Sequence, residues 1–596
     1  MERNFCRYGT RLIRDNVVIV TILLWSLIFC VTHIYGAKII VTIGIERNFY
    51  LGNLGHACIQ WLGLLSIGAL GLLTTILFPT AGGAPQCIIL LLACIFCLKP
   101  AIRTAAIDSI KASITGMSAW IPLLLIAGIY TSQPIFLGDS GLYHLSIIRW
   151  LTEYGVVTGV AAVHERLGFT STWFVLPSLF NIGSLFGTIG TLFGGYAFTL
   201  YLLLGIRAAS DLYRGSKDPG DLALFGISLL VFPYLWIWGG AISPSPDLPV
   251  IFIVIVSAGI ALTEQLSNKS KLVILFSLGS LALNIKLSLL PLPFFIFFLY
   301  VANTGWRPRL AAMLLGLVAV SPLLAVNSIT SGYPLFPSSA LALNTPWTIP
   351  ASVADEARRS VFEYAFFGPG NNAPASFWAW VKQWMFSIRH EWITVTLVAC
   401  NFIGYFYLRS TNAIRPRPLN LLFIFIICAI AFTACTAPTL RFMIHWIVVL
   451  PGIAIAQWLL KALGPKRFKT PIWALLIAAA LIASIILSPS HRQKPLYAFL
   501  LTQSREGALA PNLNLVAPPD APNVNTVYGP QGVIQGIASQ GIASSPFREI
   551  QSAGLTVFEP VGGMCWHTAL PCGFLRHPVA LRDVNSGLKS GFLTTQ

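Results

Sequence analysis

GDSGLYHLSIIRWLTEYGVVTGVAAVHERLG, residues 138–168, interrupts a chain that is otherwise built for lipid. It gathers Asp139, His144, Arg149, Glu153, His164, Glu165 and Arg166, directly after an apolar run, whereas only 10% of the whole chain is charged. The 596 residues are 56% hydrophobic, more apolar surface than a water-soluble fold can cover. Apolar runs recur near 17–36, 55–78, 84–98 and 117–132 before the loop. After it they recur near 171–186, 190–208, 221–238, 248–265, 270–284, 286–302, 310–327, 391–409, 418–435, 442–461 and 470–488. Runs of this length predict membrane-spanning helices, because backbone polar groups in lipid must be satisfied inside their own segment. The two-residue alternation of a membrane barrel is absent. The reading is an all-α polytopic membrane protein with about fourteen crossings, provided 171–186 lies along the interface without crossing.

The formal charge of +17 does not describe a nucleic-acid groove. Its cations sit in short loops: Lys99, Arg103 and Lys111; Arg214 and Lys217; Lys269 and Lys271; Arg307 and Arg309; Arg415 and Arg417; Lys466, Arg467 and Lys469. By the positive-inside rule these loops are cytoplasmic. The loops at 132–170, 239–247, 328–390 and 436–441 alternate with them and fall outside, as does the tail 489–596. Arg3, Arg7, Arg11 and Arg14 conflict with that count, so either one early run does not cross or 37–54 is embedded. The run that follows them is too long, and too poor in a small-residue cleavage site, for a signal peptide, and reads as a retained span. The chain divides into N-terminal spans (1–116), a transmembrane core (117–488) and an extracytoplasmic C-terminal domain (489–596).

Nine of the eleven cysteines lie in or beside apolar runs, where Cys behaves as a small hydrophobe. Cys565 and Cys572, in CWHTALPC, stand in the polar tail. On the outside they face an oxidising compartment and are expected to form a disulfide. Free thiols, or a metal held with His567 and His577, are the alternatives. The tail is rich in Gly, Pro, Asn and Ser, with short β-prone runs such as LTVFEP. It reads as a small, loop-rich domain folded back onto the membrane face.

Asp139 marks where an apolar span meets water. Partial desolvation weakens a carboxylic acid and makes its carboxylate a better proton acceptor near neutral pH. The other reading of GDSG is a helix cap for 141–154. Within that helix Arg149 and Glu153 form an i,i+4 pair, and His144 lies close enough to Asp139 to share a pocket, as a neutral donor or phosphate contact to substrate or as a satisfied interfacial histidine. In VHERLGF, Glu165 is the alternative base, with His164 and Arg166 as substrate contacts or members of a structural ion-pair cluster. Asp247 closes SPSPD (243–247) at the lip of a span. Lys286, between two short apolar runs, must snorkel or find an anion, and Arg441 opens a span from the outer edge. Two cations beside carboxylates on one face suggest a lipid phosphate site. Walker A, dinucleotide-binding, HExxH and GxSxG patterns are absent.

These residues resemble the C-type polytopic glycosyltransferases, the GT-C class. An apolar span leads into the acidic outer loop GDSGLYH…RW…EYG…HERLGF, followed in order by Lys286, SGYPLFP (331–337) and APTLRF (437–442). More narrowly, the DSGLYH loop, the SPSPD lip and the CWxxxLPC tail are similar to a group of uncharacterised bacterial membrane proteins. The resemblance implies a multi-pass enzyme of a bacterial plasma membrane. Its donor is a sugar on a polyprenyl phosphate, and its acceptor a glycan, lipid or protein of the cell envelope. By position, Asp139 is the general base and Lys286 and Arg441 are phosphate contacts. The class commonly carries paired acids in this loop; here Asp139–Ser140 stands instead, and a metal-free reaction is expected. A transporter or flippase of lipid-linked saccharides is the competing reading. Transporters tend to show internal repeats with charges at mid-membrane. This chain shows no such repeat, and its polar residues gather at one face.

Overall fold

The computed structural model describes residues 17–463, except 115–120, 132–136, 181–191, 295, 297–303, 369–373, 375 and 388–390. It also describes 547–594, except 562, 566 and 567, and four short strands between 501 and 534. The N-terminal arginines, the run 470–488 and His567 lie outside the described residues.

The described chain is predominantly helical. Among the described residues seven helices are long and apolar enough to cross a membrane: Thr21–Ile43, Asn53–Thr74, Leu192–Tyr213, Pro219–Trp236, Trp306–Ser331, Trp392–Thr411 and Pro416–Thr436. Two bent pairs, Ala84–Cys97 with Pro100–Ile114 and Leu440–Ile447 with Val449–Ala462, bring the candidates to nine. Asp247–Leu262 and Asn268–Leu283 are 16-residue helices that complete the bundle. This is a multi-pass α-helical membrane protein.

Helices meet through small residues, because in lipid close backbone approach replaces the hydrophobic effect as the source of packing energy. A Cβ on Gly226 would fall 2.1 Å from the carbonyl oxygen of Gly452, so the helix Pro219–Trp238 touches Val449–Leu463 backbone to backbone. Gly63 meets the carbonyl of Thr32 as closely, locking the first two long helices as an antiparallel pair.

The helix ends sort into two faces. On one, Arg47 pairs with Asp108 at 2.6 Å, Arg415 pairs with Glu264 at 2.8 Å, and Asp218 accepts from Thr263 and Gln265. These contacts knit together the loops that carry the basic residues. On the other face, the amide of Val156 donates to Thr75, that of Gly159 to Ile329, and that of Thr172 to Asn284. The helix Val17–Ile43 starts at this second face: Trp25 donates to the carbonyl of Leu192, and Gly194 packs against Ala241 and Ser243. It is one continuous helix, followed by a short turn helix, Arg47–Leu51, at the basic face.

The segment expected to lie along the interface without crossing is covered by protein over its described part. Residues 172–178 form a helix too short to span, yet every side chain in it is buried. Gly68 and Gly71 make the room, facing Thr172 and Val175 respectively. Residues 181–186 of this run lie outside the described chain.

The C-terminal region packs on the second face. Phe547–Ser552 and Leu555–Pro560 form an antiparallel hairpin whose two turn residues, Ala553 and Gly554, both have positive φ, as a tight twisted turn requires. Val579–Leu581 pairs with Phe592–Thr594. Cys565 and Cys572 are bonded, which removes the free-thiol and metal alternatives. Phe592 donates its amide to Thr158, Arg149 reaches the carbonyl of Thr568, and Arg576 pairs with Glu356. The domain thus rests on both 138–168 and the long loop after Trp306–Ser331.

Gly226→Val should destabilise the bundle by about 1–3 kcal/mol or more through overpacking, read as a lower melting temperature in nanodiscs. Opening the short disulfide loop by Cys565→Ser should cost the C-terminal domain about 2–3 kcal/mol, read as faster proteolysis within 547–594.

Candidate functional site

Four segments distant in sequence bring their charges together at the second face. Arg441, one residue into the helix Leu440–Ile447, forks between two carboxylates: Nη2 lies 2.5 Å from Oδ2 of Asp139, and Nε lies 2.5 Å from Oδ2 of Asp247. Lys286 takes the other oxygen of Asp247. The four charges sum to zero.

Each position has a local cause. Asp247 begins the helix Asp247–Leu262 after SPSP, whose prolines keep 243–246 from continuing the preceding helix. Ser243 and Ser245 brace that corner: Ser243 Oγ accepts from the Ser245 amide and Ser245 Oγ from the Asp247 amide. Lys286 sits in extended backbone just after Asn268–Leu283. Asn284 fixes that break by donating to the carbonyl of Ala319 and accepting the amide of Leu323. Arg441 follows the kink at 437–439, and its helix start is held by Glu391, a buried acid that accepts from the amide of Leu440 at 2.8 Å and from Thr394.

Asp139 stands before a wide helical turn, Ser140–His144, that runs into Leu145–Glu153. It makes no capping bond; its carboxylate is turned to Arg441 instead. Ser140, one residue on, shares a hydrogen bond of 2.7 Å with Ser243 and ties the Asp139 loop to the Asp247 corner.

The two carboxylates differ in access. The side chain of Asp247 is 4% exposed and that of Asp139 34% exposed, so Asp139 is the one a ligand can reach. The expectation that desolvation leaves Asp139 a weakened acid is corrected here. Burial does push its carboxyl upward, but the charge of Arg441 and the hydrogen bond it donates outweigh this and hold it below the ordinary carboxylate value. Asp139 is therefore ionised throughout the neutral range.

The aromatic ring of Phe442 lies 4.1 Å from Lys286 Nζ and 5.5 Å from the Arg441 guanidinium, giving both cations a π face. His144 is fully buried between Tyr143 and Phe174, and neither ring nitrogen has a hydrogen-bond partner among the described residues. Burial pushes its pKa down to about 4 although Asp139 opposes this, so it is neutral at physiological pH. It is neither a satisfied interfacial histidine nor, as it stands, an exposed donor.

The second half of the opening loop is engaged elsewhere. His164 Nδ1 lies 3.2 Å from Glu165 and 3.1 Å from the amide of Arg166, and its ring meets Phe574 of the C-terminal domain. Arg166 donates to Ser360 and covers Phe169. These residues join the loop to the helix Ala351–Phe367 and to the C-terminal domain. They form a second polar cluster, distinct from the Asp139–Asp247–Lys286–Arg441 network. Arg149 and Glu153 pair with each other at 2.5 Å. Among the described residues no group of three His, Cys, Asp or Glu side chains could hold a metal ion.

Sequence reasoning passed over three participants. Phe442 was legible only as part of the APTLRF landmark. Glu391 gave one signal, a lone acid at the mouth of an apolar run. Ser243 was hidden by the attention its neighbour Asp247 draws.

The family described as "Domain of unknown function (DUF8201)" matches residues 18–448, and the chain belongs to it. That stretch contains all four residues of the charged network. Comparison with curated proteins and with solved structures finds no match.

Asp247→Asn leaves a cation pair without its buried carboxylate, a change that typically costs about 3–5 kcal/mol. Asp139→Asn removes a half-exposed partner and should cost about 1 kcal/mol or less. Thermal unfolding of the two variants in nanodiscs should rank them in that order.

Proposed function

We propose that this protein is a membrane glycosyltransferase of the GT-C type. It takes a sugar from a polyprenyl-phosphate donor and places it on a cell-envelope acceptor at the outer face of a bacterial plasma membrane. The observation that carries the reading is the fork of Arg441 between Asp139 and Asp247, with Lys286 alongside. It sets an accessible, ionised carboxylate directly against Arg441, with Lys286 held on the far side of Asp247, at the lip of the bundle where a lipid phosphate would lie. The alternation of basic loops with this face supports its outer placement.

In this mechanism the carboxylate of Asp139 removes the proton from the acceptor hydroxyl. The resulting oxygen attacks the anomeric carbon from the side opposite the phosphate, so configuration inverts. The bond to the phosphate breaks, and Lys286 and Arg441 stabilise the leaving phosphate. Asp247 does not touch substrate in this scheme; it holds both cations in place. A metal is not required, because the two side-chain cations meet a monophosphate leaving group directly. Donor phosphate arriving at Arg441 competes with Asp139 for the guanidinium, and this frees the carboxylate as the donor binds.

Membranes supplied with a radiolabelled polyprenyl-phosphate sugar and native envelope acceptor test the assignment. Asp139→Asn should reduce transfer by about 10²–10⁴-fold with expression unchanged, the range for loss of a general base. Glu165→Gln, in the other cluster, should retain activity. Full transfer in Asp139→Asn would remove the reading. Because Arg441 lowers the pKa of Asp139, the base form persists as pH falls. The acid limb of kcat/KM should therefore lie below the ordinary aspartate value of about 3.9.

A further inference from the structure

FWAWVKQWMF, residues 377–386, has eight apolar side chains in ten, yet the protein does not bury it. None of Phe377–Lys382 is buried, and Phe377, Trp378 and Phe386 are 65%, 76% and 59% exposed. Water is a poor environment for such a surface, and an exposed apolar patch of this kind marks an interaction face.

The segment is held rigidly. Phe362, Phe366, Trp380 and Trp384 stack in a row at 4.1, 5.9 and 5.8 Å, with neighbouring planes within 30° of parallel. Trp380 donates to the carbonyl of Phe366, and Trp384 donates at 2.8 Å to the carbonyl of Pro438. Pro438 lies three residues before Arg441, in the kink that sets the direction of the Arg441 helix.

We propose that 377–387 is an in-plane membrane anchor: its aromatic side chains insert at the headgroup–acyl boundary of the leaflet on the site's face and fix the height of the charged network relative to lipid headgroups. Three observations favour a lipid partner. The patch directly precedes in sequence a helix long and apolar enough to cross, on which Trp392, Ile403 and Phe406 are exposed. Trp at a span's end settles in the interfacial belt, and Trp and Phe together make the apolar face of helices that lie in the interface plane. Lys382, the one charge in the stretch, is exposed and able to reach headgroups with its stem in the apolar layer. The anchor stands independently of the sugar-transfer reading, since it requires only a bilayer.

Hydroxyl-radical footprinting of the full-length protein in phosphatidylcholine nanodiscs tests this residue by residue. Trp347, only partly exposed and beneath Arg582 of the C-terminal domain, is the internal control on the aqueous side. The anchor requires Trp378 to be oxidised severalfold more slowly than Trp347, despite its greater exposure. Trp378→Phe should also remove part of the fluorescence quenching produced by lipids brominated near the headgroup. Oxidation of Trp378 faster than Trp347 would overturn the proposal. So would protection without any loss of quenching in Trp378→Phe, because protein would then be the cover. Protection that appears only when soluble oligosaccharide is added would make the patch a sugar platform and equally defeat it.

Discussion

Asp247 is nearly inaccessible to solvent and serves two cations at once, one on each carboxylate oxygen. An uncompensated charge at a buried position is among the costliest features a fold can carry. Among the described ion pairs Lys286 meets no other carboxylate, and Arg441 adds only the more exposed Asp139. The constraint therefore fixes three elements relative to one another: the start of Asp247–Leu262, the break after Asn268–Leu283 and the kink before Leu440–Ile447. Asp139 then joins from the loop, completing the charge balance from its more open side. The C-terminal domain, packed over the same loop, extends that order beyond the bundle.

The class of fold was legible because lipid imposes one rule on every segment. Apolar runs of span length had to become helices, and the loops they leave had to sort by charge. Asp139, Asp247, Lys286 and Arg441 were each legible for a related reason: a charge at the edge of an apolar run needs a partner. The sequence did not say that they were partners of one another, since 302 positions separate Asp139 from Arg441. Nor did it show that His164, Glu165 and Arg166, so close to Asp139 along the chain, turn away to meet 351–367 and the C-terminal domain. The contacts of these three residues are set by segments far away along the chain.

Two further features share a cause. The run at 171–186 read as non-crossing from its neighbours' charges; what the charges did not show is that its helix Thr172–Ser178 is sunk into the protein. Glycines on a neighbouring helix, invisible as a pocket in one dimension, make that possible. The basicity of Asp139 was likewise judged from burial alone, whereas Arg441 reverses the sign of the effect. In both instances the decisive group came from a distant segment.

The separation of these partners bears on how the protein is made. A membrane protein emerges from its N-terminus, so Asp139, Asp247 and Lys286 enter the bilayer well before Arg441 exists. Until then two carboxylates share one ammonium, and the half-built bundle carries an excess negative charge at its lip. Insertion of the Arg441 helix neutralises that excess and closes the helix pair at Gly226 and Gly452 in the same event. Completion of the site and completion of the bundle are thus a single late step of biogenesis, and a chain stalled short of residue 441 exposes to quality control a charge defect that the finished protein never shows.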